Sequence, residues 1–272
     1  ANQLTGGNGL NMTFGNLTTF VPAFNPVGVL QAIQAQRVSQ ALLVPTMIQM
    51  LVDHPERPNY DTSSLRSVLY GASPISEGVM RRALAAFPNA NFNQAYGMTE
   101  LSPCATILPA WYHTAEGQKA GKMRSGGRAT FTAEVRIVDE NDQEVPRRTV
   151  GEVCVRGPGV MKGYWNQPEM TRTALRGGWM HTGDAAYMDE DGFVFVVDRV
   201  KDMIVTGGEN VYSAEVENAV AQHPAVAACA VIGIPSEQWG EAVHAAIVLK
   251  PGQSASADDI MAHCRALIAN YK

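Results

Sequence analysis

Tyr96, Gly97, Met98, Thr99 and Glu100 put an aromatic ring, a hydroxyl and a carboxylate within five positions of the stretch NQAYGMTELSP. A flat ring offers a face on which a base can stack, a hydroxyl suits a phosphate oxygen, and a carboxylate is a hard donor of the kind Mg²⁺ selects. The same letters also spell an aromatic packed on a sheet with Thr-Glu opening a helix cap, and YGMTE alone leaves both readings open. Two further turns set glycine beside polar groups, Gly71-Ala72-Ser73 and His181-Thr182-Gly183-Asp184, where backbone amides can meet a ligand. Asp184 can accept hydrogen bonds from both hydroxyls of a ribose, or can be a turn aspartate satisfied by its own loop amides. Asp198, Arg199, Lys201 and Asp202 precede a strand, and Gly207-Gly208 follows it. A solvated linker and a tight turn are the plain readings of these two groups.

The elements that must position these turns alternate in type. NPVGVLQAIQAQR has helical spacing at Val27, Leu30 and Ile33, ALLV reads as a buried strand, and Pro45 opens another helix. SVLYGAS is a strand entering a glycine turn, and Ser76 caps a helix carrying Val79, Met80, Ala83, Leu84 and Phe87 on one face. NFNQAYG is the next strand, so the pattern is α/β and favours a parallel sheet. From about residue 122, AEVRIVD, GEVCVRG and GFVFVVDR are β-rich pieces between turns, which predicts antiparallel strands or a barrel-like unit. A small α+β unit follows from Arg199, with strands in DMIVTGG, VAACAVIGIP and AVHAAIVL and a helix in SAEVENAVAQ. Its last helix, from Asp258, carries Ile260, Cys264, Leu267 and Ile268 on one stripe. The expected division is therefore 1–198, with a β-rich part at about 122–198, and 199–272.

Composition narrows the function classes. The 272 residues are 46% hydrophobic and 17% charged, as in globular proteins with a substantial core. A net charge of -5 gives no footprint for nucleic acid, and anionic ligands must be held by local groups. Cys104, Cys154, Cys229 and Cys264 are scattered without metal-ligand spacing, which predicts reduced thiols in a cytoplasmic protein. No stretch approaches the ~20 apolar residues of a membrane span, which leaves only peripheral membrane contact open. The six histidines lack a Ser or Cys partner in a triad motif, and the GxxxxGK[ST] phosphate loop is absent.

The motifs acquire meaning from their order: GAS, QAYGMTE, GEVCVRGPGVMKGYWNQPE, WMHTGD, VDRVKDMIVTGGENVYSAEVE, then VIGIP with WGE. This order, over about residues 4–272, resembles the acyl-CoA synthetase branch of the acyl-adenylate-forming superfamily. The resemblance implies part of a large N-terminal domain followed by a truncated small C-terminal domain. The implied reaction has two steps: a carboxylate attacks the α-phosphate of ATP to give acyl-AMP and pyrophosphate, and the CoA thiol then displaces AMP.

Carried residue by residue, the resemblance implies that Gly71, Ala72 and Ser73 line the adenine, that Tyr96 stacks on it and that Gln94 lies near its edge. Thr99 meets phosphate, Glu100 holds Mg²⁺, and Asp184 and Arg199 bind the ribose. Lys201 is the hinge of a rotating C-terminal domain. Gly207 and Gly208 let the CoA arm pass, with Glu209 and Trp239 bordering its nucleotide. The acyl group is expected between Tyr70, the Gly97-Met98 turn and the segment LTGGNGL, with core packing as the other reading of Tyr70 and Met98. ATP, Mg²⁺, CoA and a small carboxylic acid are the implied partners, in a medium- or long-chain fatty-acyl ligase of fatty acid metabolism.

The chain departs from the family pattern in two places. The family's ATP phosphate loop would lie before Ala1 and its adenylation lysine after Lys272, so this chain is expected to be impaired in adenylation. An aryl-CoA ligase, a peptide-synthetase adenylation domain and a non-catalytic nucleotide-binding remnant are the alternatives.

Overall fold

The computed structural model describes residues 2–5, 17–21, 23–73 and 75–272, with 2–5, 17, 18, 20 and 201 described by their backbone alone. Two compact units emerge: Ala1–Arg136 with Cys154–His181 and Met188–Phe195, and Ile137–Val153 with Thr182–Tyr187 and Val196–Lys272.

The first unit is built on a sheet whose early strands are β1 (Asn2–Thr5) and β2 (Leu17–Phe20). Helix α1 (Pro26–Gln36) starts where the Asn25 side chain accepts from the amide of Gly28 at 2.6 Å, and Pro26 has no amide hydrogen to leave unpaired. It buries Val29, Leu30 and Ile33, and leads to β3 (Gln40–Leu43). Pro45 does open α2 (Pro45–Val52), which precedes β4 (Ser67–Gly71). Ser76 caps α3 (Glu77–Ala86) by accepting from the amide of Val79, as its place before the apolar stripe predicts. Then come β5 (Asn91–Tyr96), β6 (Thr106–Leu108), the short helix α4 (Ala115–Gln118) and β7 (Arg128–Ala129).

The sheet order is β2-β1-β3-β4-β5-β6-β7. Pairing is parallel from β2 through β5 and turns antiparallel at β6 and β7. Leu30, Ile33, Ile48, Leu51, Val68, Met80 and Phe92 are among the buried core residues. Burying side chains of this kind contributes roughly 1.5–3 kcal/mol each before chain entropy is counted.

The β-rich stretch forms β8 (Glu134–Val138), β9 (Gly151–Arg156), β10 (Met180–Met188) and β11 (Val194–Arg199), with helix α5 (Pro168–Ala174) between β9 and β10. Their order, β11-β10-β9-β8, leaves two edges, so the barrel-like expectation is corrected to an open four-stranded sheet. Alternation along a strand reports one buried face and carries no information about closure.

In the second unit β12 (Ile204–Thr206), β13 (Glu209–Val211), β14 (Val226–Ser236) and β15 (Gly240–Leu249) form a sheet in the order β13-β12-β15-β14. Helices α6 (Ser213–Ala221) and α7 (Ala257–Arg265) contribute Val216, Val220 and Ile260 to a core shared with Ile204, Val211, Val226 and Val231. A capping box between Ser256 and Asp259 starts α7. The expected stripe stops early: Cys264 and Ile268 pack on the core, but the helix ends at Arg265 and Leu267 is exposed.

Candidate active site

Ligands of open α/β sheets bind outside the carboxyl ends of the parallel strands, and here β4 and β5 are neighbours in register from Ser67 with Asn91 to Gly71 with Ala95. That register brings two sequence-predicted turns together, Gly71-Ala72-Ser73 after β4 and Tyr96 to Glu100 after β5. Ala72 has a left-handed φ of 69°, and Ala72 and Ser73 are exposed. Between Tyr96 and the start of β6 the chain turns back sharply, with the Ala105 amide bonded to the Tyr96 carbonyl at 2.9 Å. Gly97 fits because its backbone lies against Pro103: a Cβ there would sit 2.0 Å from the Pro103 oxygen.

Thr99 to Leu101 form a single 3₁₀ turn that leaves Thr99 exposed and Glu100 half-buried. The Tyr164 hydroxyl donates to Glu100 Oε1 at 2.9 Å, and the Met161 amide donates to the Glu100 carbonyl at 2.8 Å. Burial and this carboxylate together push the Tyr164 phenol above its usual pKa, so it stays a donor at neutral pH. A hard carboxylate beside a hydroxyl, held by a neutral donor, is a donor set that fits Mg²⁺, which takes few protein ligands and completes its shell with phosphate and water. Sequence reasoning missed Tyr164, although it lies in the quoted GYWNQPE motif; a bond across 64 positions has no local signal.

Gln94 is held from the core side. The Tyr70 hydroxyl donates to Gln94 Oε1 at 3.2 Å and lies 2.7 Å from Nε2 of His113. Tyr70 and His113 are 0% and 1% exposed, so the Tyr70 ring lies in the core and the strand end itself is what it offers to a neighbouring pocket. Of the proposed acyl segment LTGGNGL, Leu4 and Thr5 lie in β1, and residues 6–10 fall outside the described residues.

Burial pushes the His113 pKa from 6.5 down to about 4, against a weaker opposing pull from the carbonyls of Pro109 and Ala110. The unfolded chain therefore takes up a proton that the folded chain refuses between those values. The associated stabilisation is full above pH 6.5 and is lost as pH falls towards 4, about 3 kcal/mol in all. Urea unfolding of wild type and His113→Gln at pH 7.5 and 4.5 checks this: the variant should lose less stability on acidification, and equal losses would refute it.

The remaining predicted residues belong to the second unit. Arg199 Nε lies 3.8 Å from Asp184 Oδ1, so the structure brings the two ribose candidates together. Nearby loop amides are engaged elsewhere: Gly183 donates to Glu152 Oε1 at 3.0 Å, and Asp184 donates to Thr182 Oγ1 at 3.1 Å. Asp198 accepts from the amides of Arg199 and Ser213, tying the end of β11 to the start of α6. In the first unit His181 is buried with Nδ1 3.2 Å from the Cys154 thiol. Lys201 lies in the 3₁₀ turn Val200–Asp202, and its side chain is outside the described residues.

Gly207 and Gly208 have φ of 60° and 86° and close the two-residue turn between Thr206 and Glu209, a conformation glycine adopts freely. The Gly207 amide donates to the Trp239 carbonyl at 2.8 Å, and a Cβ on Gly207 would be 3.1 Å from the indole. Gly207 and Trp239 are thus in contact, while Glu209 is exposed beside them.

The profile of the AMP-binding enzyme family matches residues 9–165, and that of the AMP-binding enzyme C-terminal domain matches 215–272. The chain belongs to the AMP-binding enzyme family. Among its relatives, a feruloyl-CoA synthase from an Amycolatopsis species is 44% identical over 92% of this chain and 49% of the relative. A medium/long-chain-fatty-acid–CoA ligase from Mycobacterium tuberculosis is 46% identical over 84% of this chain and 39% of the relative. A solved structure of o-succinylbenzoate CoA synthetase from Bacillus subtilis, in complex with ATP and magnesium ion, superposes with a TM-score of 0.82 at 31% identity. That match covers 95% of this chain and 51% of the other. The chain spans about half the length of the curated relatives it matches. Within this member of the AMP-binding enzyme family, no described helix is long and apolar enough to cross a membrane.

Proposed function

We propose that this chain carries the adenylate-binding part of an ATP-dependent carboxylic acid:CoA ligase. The observation that carries the reading is the pair of turns at the carboxyl ends of the neighbouring strands β4 and β5, with Glu100 held by Tyr164. In this reading Gly71, Ala72 and Ser73 wall the adenine, Tyr96 stacks on it, and Gln94, held by Tyr70, presents its amide to the base edge. Thr99 donates to phosphate, and Asp184 and Arg199 take the ribose hydroxyls.

Glu100 would hold Mg²⁺, which when bound offsets charge on the phosphates as pyrophosphate leaves. The protein's own work in the first step is positional: it sets a carboxylate oxygen in line with the α-phosphorus, and the bond to pyrophosphate breaks as the acyl-AMP bond forms. In the second step the CoA sulfur bonds to the acyl carbon and AMP departs. Gly207 and Gly208 pass the pantetheine arm, with Glu209 and Trp239 bordering the CoA nucleotide. Residues 1–198 act as part of the large domain and 199–272 as part of a small one that rotates about Lys201 between the steps.

The acyl seat is assigned to the Gly97-Met98 turn and the strand end at Tyr70. A medium- or long-chain fatty acid is the substrate class we favour, supported by the 46% identical fatty-acid ligase; the feruloyl-CoA synthase makes an aromatic acid the second reading. Mass spectrometry after incubation with ATP, Mg²⁺, CoA and mixed fatty and aryl acids tests both. A thioester identifies the substrate by its acyl mass. Tight binding of an acyl-AMP mimic without any acyl-AMP or thioester, also in a polypeptide of the relatives' full length, would replace the ligase reading by that of a nucleotide-binding remnant.

A further inference from the structure

The segment from Lys122 to Arg128 has no role in the reaction outlined above, yet it is fixed with unusual completeness. Lys122 Nζ donates to Asp189 Oδ2 and, at 2.8 Å, to Asp191 Oδ2, and the Lys122 and Asp189 side chains are only 15% and 4% exposed. Asp189 Oδ1 in turn accepts from the amides of Asp191 and Phe193 at 3.0 and 2.9 Å, which closes the turn after β10. Lys122 Nζ and the Arg128 guanidinium lie 5.0 and 4.9 Å from the centre of the Phe193 ring.

From this anchor the backbone runs to Tyr96. Ser125, fully buried, donates through both its amide and its hydroxyl to the Lys122 carbonyl, at 2.9 and 2.7 Å. The Gly126 amide donates to the Val194 carbonyl at 2.8 Å, the Val194 amide donates to the Gly127 carbonyl at 2.9 Å, and Thr106 Oγ1 donates to the Gly126 carbonyl at 2.6 Å. The outcome is a close approach: a Cβ at Gly126 would lie 2.9 Å from Tyr96 Cβ and 3.5 Å from its Cγ. Backbone therefore stands where a side chain would push the ring root aside, and it limits how the ring can pivot.

We infer that Lys122 is a positioning residue for the nucleotide base: its ion pair with Asp189 fixes Gly126 against Tyr96 and so fixes the face on which the base stacks. The inference rests on the proposed nucleotide role of Tyr96. A buried pair is a poor stabiliser against an apolar replacement, but removing one partner strands the other charge. A test must therefore separate folding from positioning.

Calorimetric titration with AMP, with thermal midpoints on the same samples, does so for wild type, Lys122→Arg, Lys122→Met and the double variant Lys122→Met/Asp189→Asn. The double variant strands no charge, and its Asn oxygen still accepts from the amides of Asp191 and Phe193, so it should keep its midpoint while losing AMP affinity by roughly tenfold, because a small misplacement is enough to lose that much. Lys122→Met should lose at least as much, and Lys122→Arg, which keeps the ion pair, should bind AMP within about twofold of wild type. Wild-type affinity in the double variant overturns the inference, as does unfolding of both charge-removing variants, which would assign the pair to folding alone. Wild type that binds no AMP overturns the nucleotide reading itself, a separate and recognisable result.

Discussion

Glu100→Gln should lower ATP–pyrophosphate exchange by about 10²–10³-fold while leaving the fold intact, the scale seen when one charge-stabilising group is removed from an active site. The substitution keeps shape and leaves an amide oxygen for the Tyr164 hydroxyl, which now bonds Glu100 at 2.9 Å. The 3₁₀ turn at Thr99 to Leu101 is held by backbone bonds from Leu101 and Ser102 to Met98 and Thr99, which the change does not touch. What it removes is one negative charge from the donor set proposed for Mg²⁺, and with it affinity for the ion. Two accompanying results are expected: AMP binding close to wild type, since AMP lacks the pyrophosphate whose charge Mg²⁺ would offset, and partial recovery of exchange at raised Mg²⁺. If Glu100 merely opens a turn, exchange will be unchanged. The measurement belongs in a polypeptide of the relatives' full length with demonstrated wild-type exchange.

Gly97→Ala should be strongly destabilising. Its Cβ would meet the Pro103 oxygen at 2.0 Å, the Pro103 carbonyl carbon at 2.8 Å and Cys104 Cα at 2.9 Å, all backbone atoms with no rotamer to yield. Overpacking of this kind costs ~3 kcal/mol or more when relief requires backbone shifts. For a chain of this size that corresponds to a fall in Tm of roughly 6–12 °C. The shift must pass into Tyr96 and Met98, so AMP binding should fail along with stability. Gly78→Ala is the natural control. It lies in α3, its Cβ would find only the end of the Arg82 side chain at 3.7 Å, and helix propensity predicts a gain of a few tenths of a kcal/mol. Differential scanning of the two variants decides the matter, and equal midpoints would refute the argument.

Much of this arrangement was legible because it is local. The apolar spacing of α1, the cap at Ser76, Pro45 at the start of α2 and the glycine turns after β4 and β5 all depend on residues within a few positions of each other. Even the burial of Tyr70 had a signal, since Val68 and Tyr70 alternate onto one face of β4 and both are buried. The partners that hold the site were not legible. Tyr164 reaches Glu100 across 64 positions, His113 reaches Tyr70 across 43, and Lys122 reaches Asp189 across 67. Such pairs follow from which strands become neighbours, and strand order is a property of the whole sheet. The open form of the β8 to β11 sheet escaped for the same reason. Conversely, Asp184 and Arg199 were named from separate motifs and are found 3.8 Å apart.

The contact between Trp239 and Gly207 has a practical side. An indole that is half exposed, seated on a turn with no side chains of its own, responds to whatever displaces water from that turn. The protein thus carries an intrinsic fluorophore at the place where the pantetheine arm is proposed to pass. With Trp111, Trp165 and Trp179 replaced by phenylalanine, occupancy there can be followed by emission, without a label and without waiting for turnover.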